Sequence, residues 1–184
     1  VLAVESSVKI PFMAGFLRDQ FDPDYANISR WQVCDRTTGE MLAADEWEVN
    51  RKKQEITIPK AKRMHEYTVS FLARVTWHPV QVYNYITNNW TCEKQLTYDP
   101  AYPATKEYIK KHMREWCENN PDTSVVRFTT FLYQFTLIFN EQGKEKYVDW
   151  FGYGQTANPV LMDEFEKETG IKLTAEDFVD GGYY

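Results

Sequence analysis

A chain of 184 residues is long enough for one domain with a sizeable core, and its 43% hydrophobic and 26% charged residues are ordinary for a globular protein. The net charge of −6 and pI near 5.2 argue against a broad nucleic-acid or anionic-membrane surface, although they allow a local basic pocket for one anion. No apolar run reaches the ~18 residues of a membrane span, and three widely spaced cysteines (Cys34, Cys92, Cys117) without a CxxC fit a reducing, cytoplasmic setting better than a disulfide framework.

The opening segment places Ile10, Phe12, Met13, Phe16 and Leu17 near helical spacing, with Pro11 suited to a first turn, and so predicts a helix over residues 8–20. "DPDYANIS" then reads as a loop. From Arg30 the signal changes to short alternating runs, "RWQVCD", "EWEVN" and "QEITIP", separated by turn residues. These predict a small antiparallel β insertion at about 30–65 with one wet face. "EYTVSFLARVTW", from Glu66 to Trp77, reads as one long buried strand.

His78-Pro79 ends that strand, and "VQVYNYITNNW" predicts a helix. A second helix follows in "PATKEYIKKHMREWCENN", where Ile109, Met113, Trp116 and Cys117 form one apolar stripe. "TSVVRFTTFLYQFTLIF" is a second strong strand signal. "TANPVLMDEFEKETG" carries Asn158 as N-cap, Pro159 at the first helical position, early acidic residues and Gly170 as stop. "TAEDF" starts a short capped turn. The alternation of strands and helices predicts a parallel α/β unit, in which the loops after strands line the active site. The chain opens without an initiator methionine and stops at "GGYY", so both ends are expected to be interior sequence.

Chemistry is less explicit. The three histidines (His65, His78, His112) lie far apart without an HExxH, which argues against zinc. There is no GxxxxGK[ST], GxGxxG or GxSxG, so nucleotide binding and a nucleophile elbow lack their signals. Rings are abundant, with 6 Trp, 12 Tyr and 11 Phe, and they suit both a core and sugar stacking. Arg127, in "SVVRFTTF", is a charge in an apolar strand, costly unless paired or facing a site. Its planar fork fits a phosphate or sugar hydroxyls, and equally a structural ion pair at a strand end. Asn84 offers a donor and an acceptor to a sugar, or else caps a helix or loop. Asp149 and Asp180 sit beside rings and serve either as acids or as turn caps.

Three long strings narrow these alternatives: "MHEYTVSFLARVTWHPVQVYNYITNNW", "TSVVRFTTFLYQFTLIFNEQGKEKYVDWFGYG" and "LTAEDFVDGGYY". Together with "WQVCDRTTGEML" they closely resemble glycoside hydrolase family 112, the galacto-N-biose/lacto-N-biose phosphorylases and their relatives. The resemblance implies an α/β fold: part of a TIM-type (β/α)8 barrel catalytic domain, since a whole barrel takes about 250 residues. It implies inverting, reversible phosphorolysis of a β-1,3-galactosyl-N-acetylhexosamine, with inorganic phosphate as co-substrate and no metal or organic cofactor. The general-acid aspartate is expected beyond Tyr184, so the chain by itself is expected to be inactive. Carried over position by position, Val80 and Asn84 lie beside the acceptor sugar and Arg127 lies at the galactose and phosphate end. Tyr153 matches an acceptor-side position where some relatives carry a smaller residue. The expected partners are thus a disaccharide and phosphate, without nucleic acid or membrane, in an assembly compatible with a homodimer. Rival readings are a galactosyl-β-1,4-rhamnose phosphorylase, a barrel β-galactosidase that uses water, and a noncatalytic carbohydrate-binding module.

Overall fold

A computed structural model describes residues 1–96, 99–127, 136–149 and 158–179. Its first half is built from antiparallel strands. β1 (Val8–Pro11) pairs with β6 (Glu55–Ile58), which pairs on its other edge with β5 (Glu48–Asn50). β3 (Gln32–Asp35) is flanked by β4 (Glu40–Met41) and β7 (Tyr67–Ser70), while β2 (Phe21–Pro23) pairs with β8 (Ala73–Val75). The antiparallel stretch therefore covers 30–65 and reaches beyond it, because β1 and β7 complete its two larger sheets.

Three expectations fail here for physical reasons. Residues 8–20 are not a helix. Val8 and Ile10 alternate with exposed Lys9 and Pro11, and this period of two buries both β-branched side chains against β6. Gly15, at φ 83°, then turns the chain in the left-handed region, which a continuing helix would not permit. Residues 66–77 are not one strand either. The chain ends β7, paired with β3, at Ser70, buries Leu72, whose carbonyl accepts from the Asp24 amide (2.8 Å), and joins β2 as β8. The supposed loop after Asp22 is likewise ordered, as the end of β2 and a 3-10 turn over Tyr25–Arg30.

The core of this half gathers Val8, Ile10, Phe12, Met13, Trp31, Val33, Ile56, Ile58, Tyr67 and Leu72. Phe12 meets Trp31 and Phe71 edge-on at ring separations of 5.3 and 5.0 Å, an arrangement that favours the positive ring edge against the negative face. Arg30, 5% exposed, fastens the C-terminal region onto it. Its guanidinium donates to Asp163 (2.5 Å), Glu166 (2.8 Å) and the Leu173 carbonyl (2.7 Å). Burial alone would lower the Arg30 pKa, but the two carboxylates outweigh it and raise it.

The second half holds α1 (Pro79–Asn88), α2 (Pro103–Asn119), the hairpin β9 (Thr136–Phe139) and β10 (Glu145–Asp149), and α3 (Pro159–Thr169). All three helices fall where the sequence places them. Asn158 caps α3 by accepting from the Val160 amide (2.8 Å), Pro159 occupies the first turn and Gly170 closes it at φ 75°. The acidic residues lie one turn later than expected, since none is in the first turn. Thr174 and Asp177 form the expected capping box for a 3-10 turn over Ala175–Phe178. On α2, Ile109 and Met113 are half-buried, whereas Trp116 and Cys117 are exposed.

All strand pairs among the described residues are antiparallel, so the predicted parallel pairing is not found there. β9 instead borrows hydrogen bonds from the 17–20 turn. Leu17 donates to the Phe139 carbonyl (2.9 Å), and buried Gln20 donates to the Leu137 carbonyl while accepting from the Phe139 amide. A side-chain amide can stand in for a strand at this point because it carries both a donor and an acceptor.

Candidate substrate-binding site

The segment from the end of β8 to the end of α1 concentrates the ordered polar chemistry. Thr76 anchors it, its amide donating to the Gln20 carbonyl and its hydroxyl to the Asp19 carbonyl, both at 2.9 Å. Trp77, 3% exposed, packs with Val82, Leu137 and Phe139 in a second small core. His78 then takes the N-cap position and Pro79 the first helical position, where its missing N–H costs nothing. His78 is half-buried, and burial lowers its pKa, which favours the neutral ring. Inward-facing Val82, together with partly buried Tyr83 and Ile86, seats α1 on that core beside β9.

Gln81, in the first turn of α1, is 7% exposed. Its Oε1 accepts from Trp77 Nε1 (2.8 Å) and from the Gln95 amide (2.6 Å). Its Nε2 donates to the Glu93 carbonyl and to Cys92 Sγ (3.2 Å). The strap over residues 92–95 is closed further by the His78 amide, which donates to the Gln95 carbonyl (2.7 Å). Lys94 Nζ lies 4.2 Å from the centroid of the Trp77 ring and pairs with Asp19 (3.0 Å), while Tyr85 meets Trp77 edge-on at 4.9 Å.

Asn84 stands three residues after Gln81 and is half-buried. Its Oδ1 accepts from Asn88 Nδ2 (2.7 Å), and its carbonyl accepts from the Asn89 amide at the left-handed end of the helix. Asn84 is thus neither the N-cap nor the C-cap of α1. Val80 belongs to the first turn of the same helix. These two expected site residues therefore share one element.

Arg127 does not fit the argument that singled it out. Residues 123–127 belong to no strand, and Arg127 is exposed beside Val125 and Val126, at 78% and 40% exposure. A β-rich composition becomes a buried strand only where a partner edge and a covered face exist, so the cost of burying this charge does not arise. Tyr153 and Asp180 lie outside the described residues. Asp149 is the last residue of β10, opposite Thr136. No cluster of three or more His, Cys, Asp or Glu side chains suited to a metal occurs among the described residues.

Gln81 and its strap were not legible in advance. The one local hint is that Gln81 follows Trp77 by four residues across the start of α1. Its other partners lie 11 to 14 residues further on and carry no local signal.

Comparison with known proteins gives this segment its context. A family model described as the lacto-N-biose phosphorylase N-terminal TIM barrel domain matches residues 1–184. The chain is 47% identical over 183 residues to the 1,3-beta-galactosyl-N-acetylhexosamine phosphorylase Cphy3030 of Lachnoclostridium phytofermentans, covering 98% of this chain and 25% of that protein. It is 43% identical over 187 residues to the 1,3-beta-galactosyl-N-acetylhexosamine phosphorylase of Bifidobacterium longum subsp. longum, covering 100% of this chain and 25% of that protein. It is 36% identical over 189 residues to a D-galactosyl-beta-1->4-L-rhamnose phosphorylase of L. phytofermentans, covering 100% of this chain and 26% of that protein. The chain spans about a quarter of the length of these curated relatives. With the whole of its sequence matched, the chain belongs to the lacto-N-biose phosphorylase N-terminal TIM barrel domain family.

Proposed function

We propose that this chain is part of the barrel domain of an inverting phosphorylase acting on β-1,3-galactosyl-N-acetylhexosamines, with residues 30–65 inserted into the barrel. The observation that carries this reading is similarity along nearly the whole chain to relatives named for that activity, at 39–47% identity. In the proposed reaction phosphate attacks the anomeric carbon from the face opposite the leaving sugar. A carboxylic acid outside this chain protonates the departing oxygen, yielding α-galactose 1-phosphate and free N-acetylhexosamine. An inverting hydrolase needs a second carboxylate to activate water. Phosphate is already an anionic nucleophile, so the protein must supply cationic and hydrogen-bonding groups that hold it.

Within this scheme Val80, Asn84 and Tyr153 line the acceptor side, and Arg127 serves the galactose and phosphate end. The exposure of Arg127 leaves its guanidinium open to a ligand. The odd number and wide spacing of Cys34, Cys92 and Cys117, without a CxxC, suit a cytoplasmic setting. No described helix is long and apolar enough to cross a membrane. The 36% identity to a galactosyl-rhamnose phosphorylase favours one second reading, in which the acceptor is a deoxyhexose.

The test is product analysis on the complete protein that carries this chain, given lacto-N-biose with and without inorganic phosphate. The proposal expects galactose 1-phosphate, formed only with phosphate. Free galactose formed without phosphate would replace it with a hydrolase. In the synthetic direction, a preference for rhamnose over N-acetylhexosamines would select the second reading.

A further inference from the structure

We infer that Gln81 is a positioning residue that sets the acceptor-side wall by locking the 92–95 strap onto the first turn of α1. The inference rests on the reading of α1 as that wall, and it adds to that reading a residue that would not itself touch the sugar.

A carboxamide offers two donor hydrogens and two acceptor sites. Gln81 uses both of each: Trp77 Nε1 and the Gln95 amide on its oxygen, the Glu93 carbonyl and Cys92 Sγ on its nitrogen. These partners come from the end of the β8 segment and from a strap 11 to 14 residues downstream, and they converge on a side chain that is 7% exposed. Only asparagine carries the same carboxamide, on a side chain one methylene shorter. Glutamate would lose both donors and bring a charge against the Glu93 carbonyl, and methionine would leave the Trp77 and Gln95 N–H groups without their acceptor.

Placement turns this junction from a fastening into a device for alignment. Gln81 directly follows Val80 and precedes Asn84 by three residues on the same helix. The strap it holds also accepts the His78 amide, so the N-terminus of α1 has its direction fixed from two sides. A shift of the strap would tilt the turn bearing Val80 and displace Asn84, and errors near 1 Å in such positions cost up to about a hundredfold in rate.

The experiment measures synthesis by the complete protein, varying N-acetylglucosamine and galactose 1-phosphate separately, for the parent, Gln81→Met and Asn84→Ala. Gln81→Met is expected to raise the acceptor KM at least about fivefold and to leave the galactose 1-phosphate KM within about twofold. A purely structural role would lower the active fraction, and hence the apparent kcat, while both KM values stayed put. That result overturns the inference. If Gln81→Met does not accumulate as folded protein, Trp77→Phe removes one hydrogen bond to the same carboxamide and should move the same KM in the same direction. An Asn84→Ala variant with an unchanged acceptor KM would overturn the reading of α1 itself. An altered Asn84→Ala beside an unaltered Gln81→Met would overturn only the role of Gln81.

Discussion

The two halves of the chain are stabilised in different ways. In the first, strands β1 to β8 bury a continuous apolar cluster in which Ile56 and Val33 are wholly enclosed. In the second, α2 runs for 17 residues without burying one, and the small core under α1 is formed by Trp77, Val82, Leu137 and Phe139. The first half is held mainly by apolar area removed from water. Around α1, specific polar contacts carry more of the order, through Gln20 on β9 and Gln81 on the strap. Apolar packing tolerates volume-conserving change, while a buried amide with every site engaged tolerates almost none. A binding wall built in the second style has its geometry fixed with few residues.

The sharpest way to break this contrast is truncation on each side. Ile56→Ala should cost about 2–5 kcal/mol, because it opens a cavity in the central strand of a three-stranded sheet. Trp116→Ala, at a residue 39% exposed on α2, should stay within about 1 kcal/mol despite deleting a larger side chain. Urea midpoints of the complete protein measure both, and equal losses would erase the distinction between the halves.

A smaller effect is expected where the halves are tied. Arg30→Met removes three hydrogen bonds to α3 and its following segment. Because Asp163 is 58% and Glu166 39% exposed, both carboxylates can recover water, and the loss should be about 1–3 kcal/mol. Hydrogen exchange should rise in residues 159–178 and hardly change in β5 and β6. Uniform acceleration would mean that Arg30 supports the whole core rather than this junction.

The smallest expected effect is in pH dependence. Burial would raise the Asp35 pKa, but hydrogen bonds from His65, at 2.7 Å, and from Thr37 and Thr38 outweigh it and hold the carboxyl below its ordinary value. A lowered folded pKa adds stability above the unfolded carboxylate value, and that contribution is lost as pH falls through the folded one. Thermal stability of the parent should therefore decline on acidification below the ordinary carboxylate range. Asp35→Asn should flatten that decline relative to neutral pH. An unchanged slope in the variant would assign the acid sensitivity to other groups.

Sequence alone revealed the parts of this molecule whose signals are local. The three helices announce themselves through Pro79, Pro103 and the Asn158-Pro159 start, with Gly170 as a stop. The errors came where pairing partners decide. Val8 and Ile10 suit a helix until β6, more than 40 residues later, offers an edge, and "SFLAR" reads as continuous strand until Leu72 turns inward between two sheets. The site shows the same division. The residue pattern places Asn84 and Val80 on a helix and the resemblance alone gives them a site role, whereas the closure of the strap by Gln81 depends on contacts between segments distant in sequence. Arg127 lies exposed and outside any strand, so its proposed place at the galactose and phosphate end rests on the family resemblance alone.

The most direct test of the central claim, that this quarter-length stretch supplies contacts to both ends of the substrate, is a paired kinetic measurement on the complete protein. Phosphorolysis of lacto-N-biose should be followed against phosphate concentration, and synthesis against N-acetylhexosamine concentration, in Arg127→Ala and Asn84→Ala. The account predicts that Arg127→Ala raises the phosphate KM or abolishes turnover, while Asn84→Ala raises the acceptor KM and leaves phosphate nearly unaffected. Parental constants in both variants would contradict it.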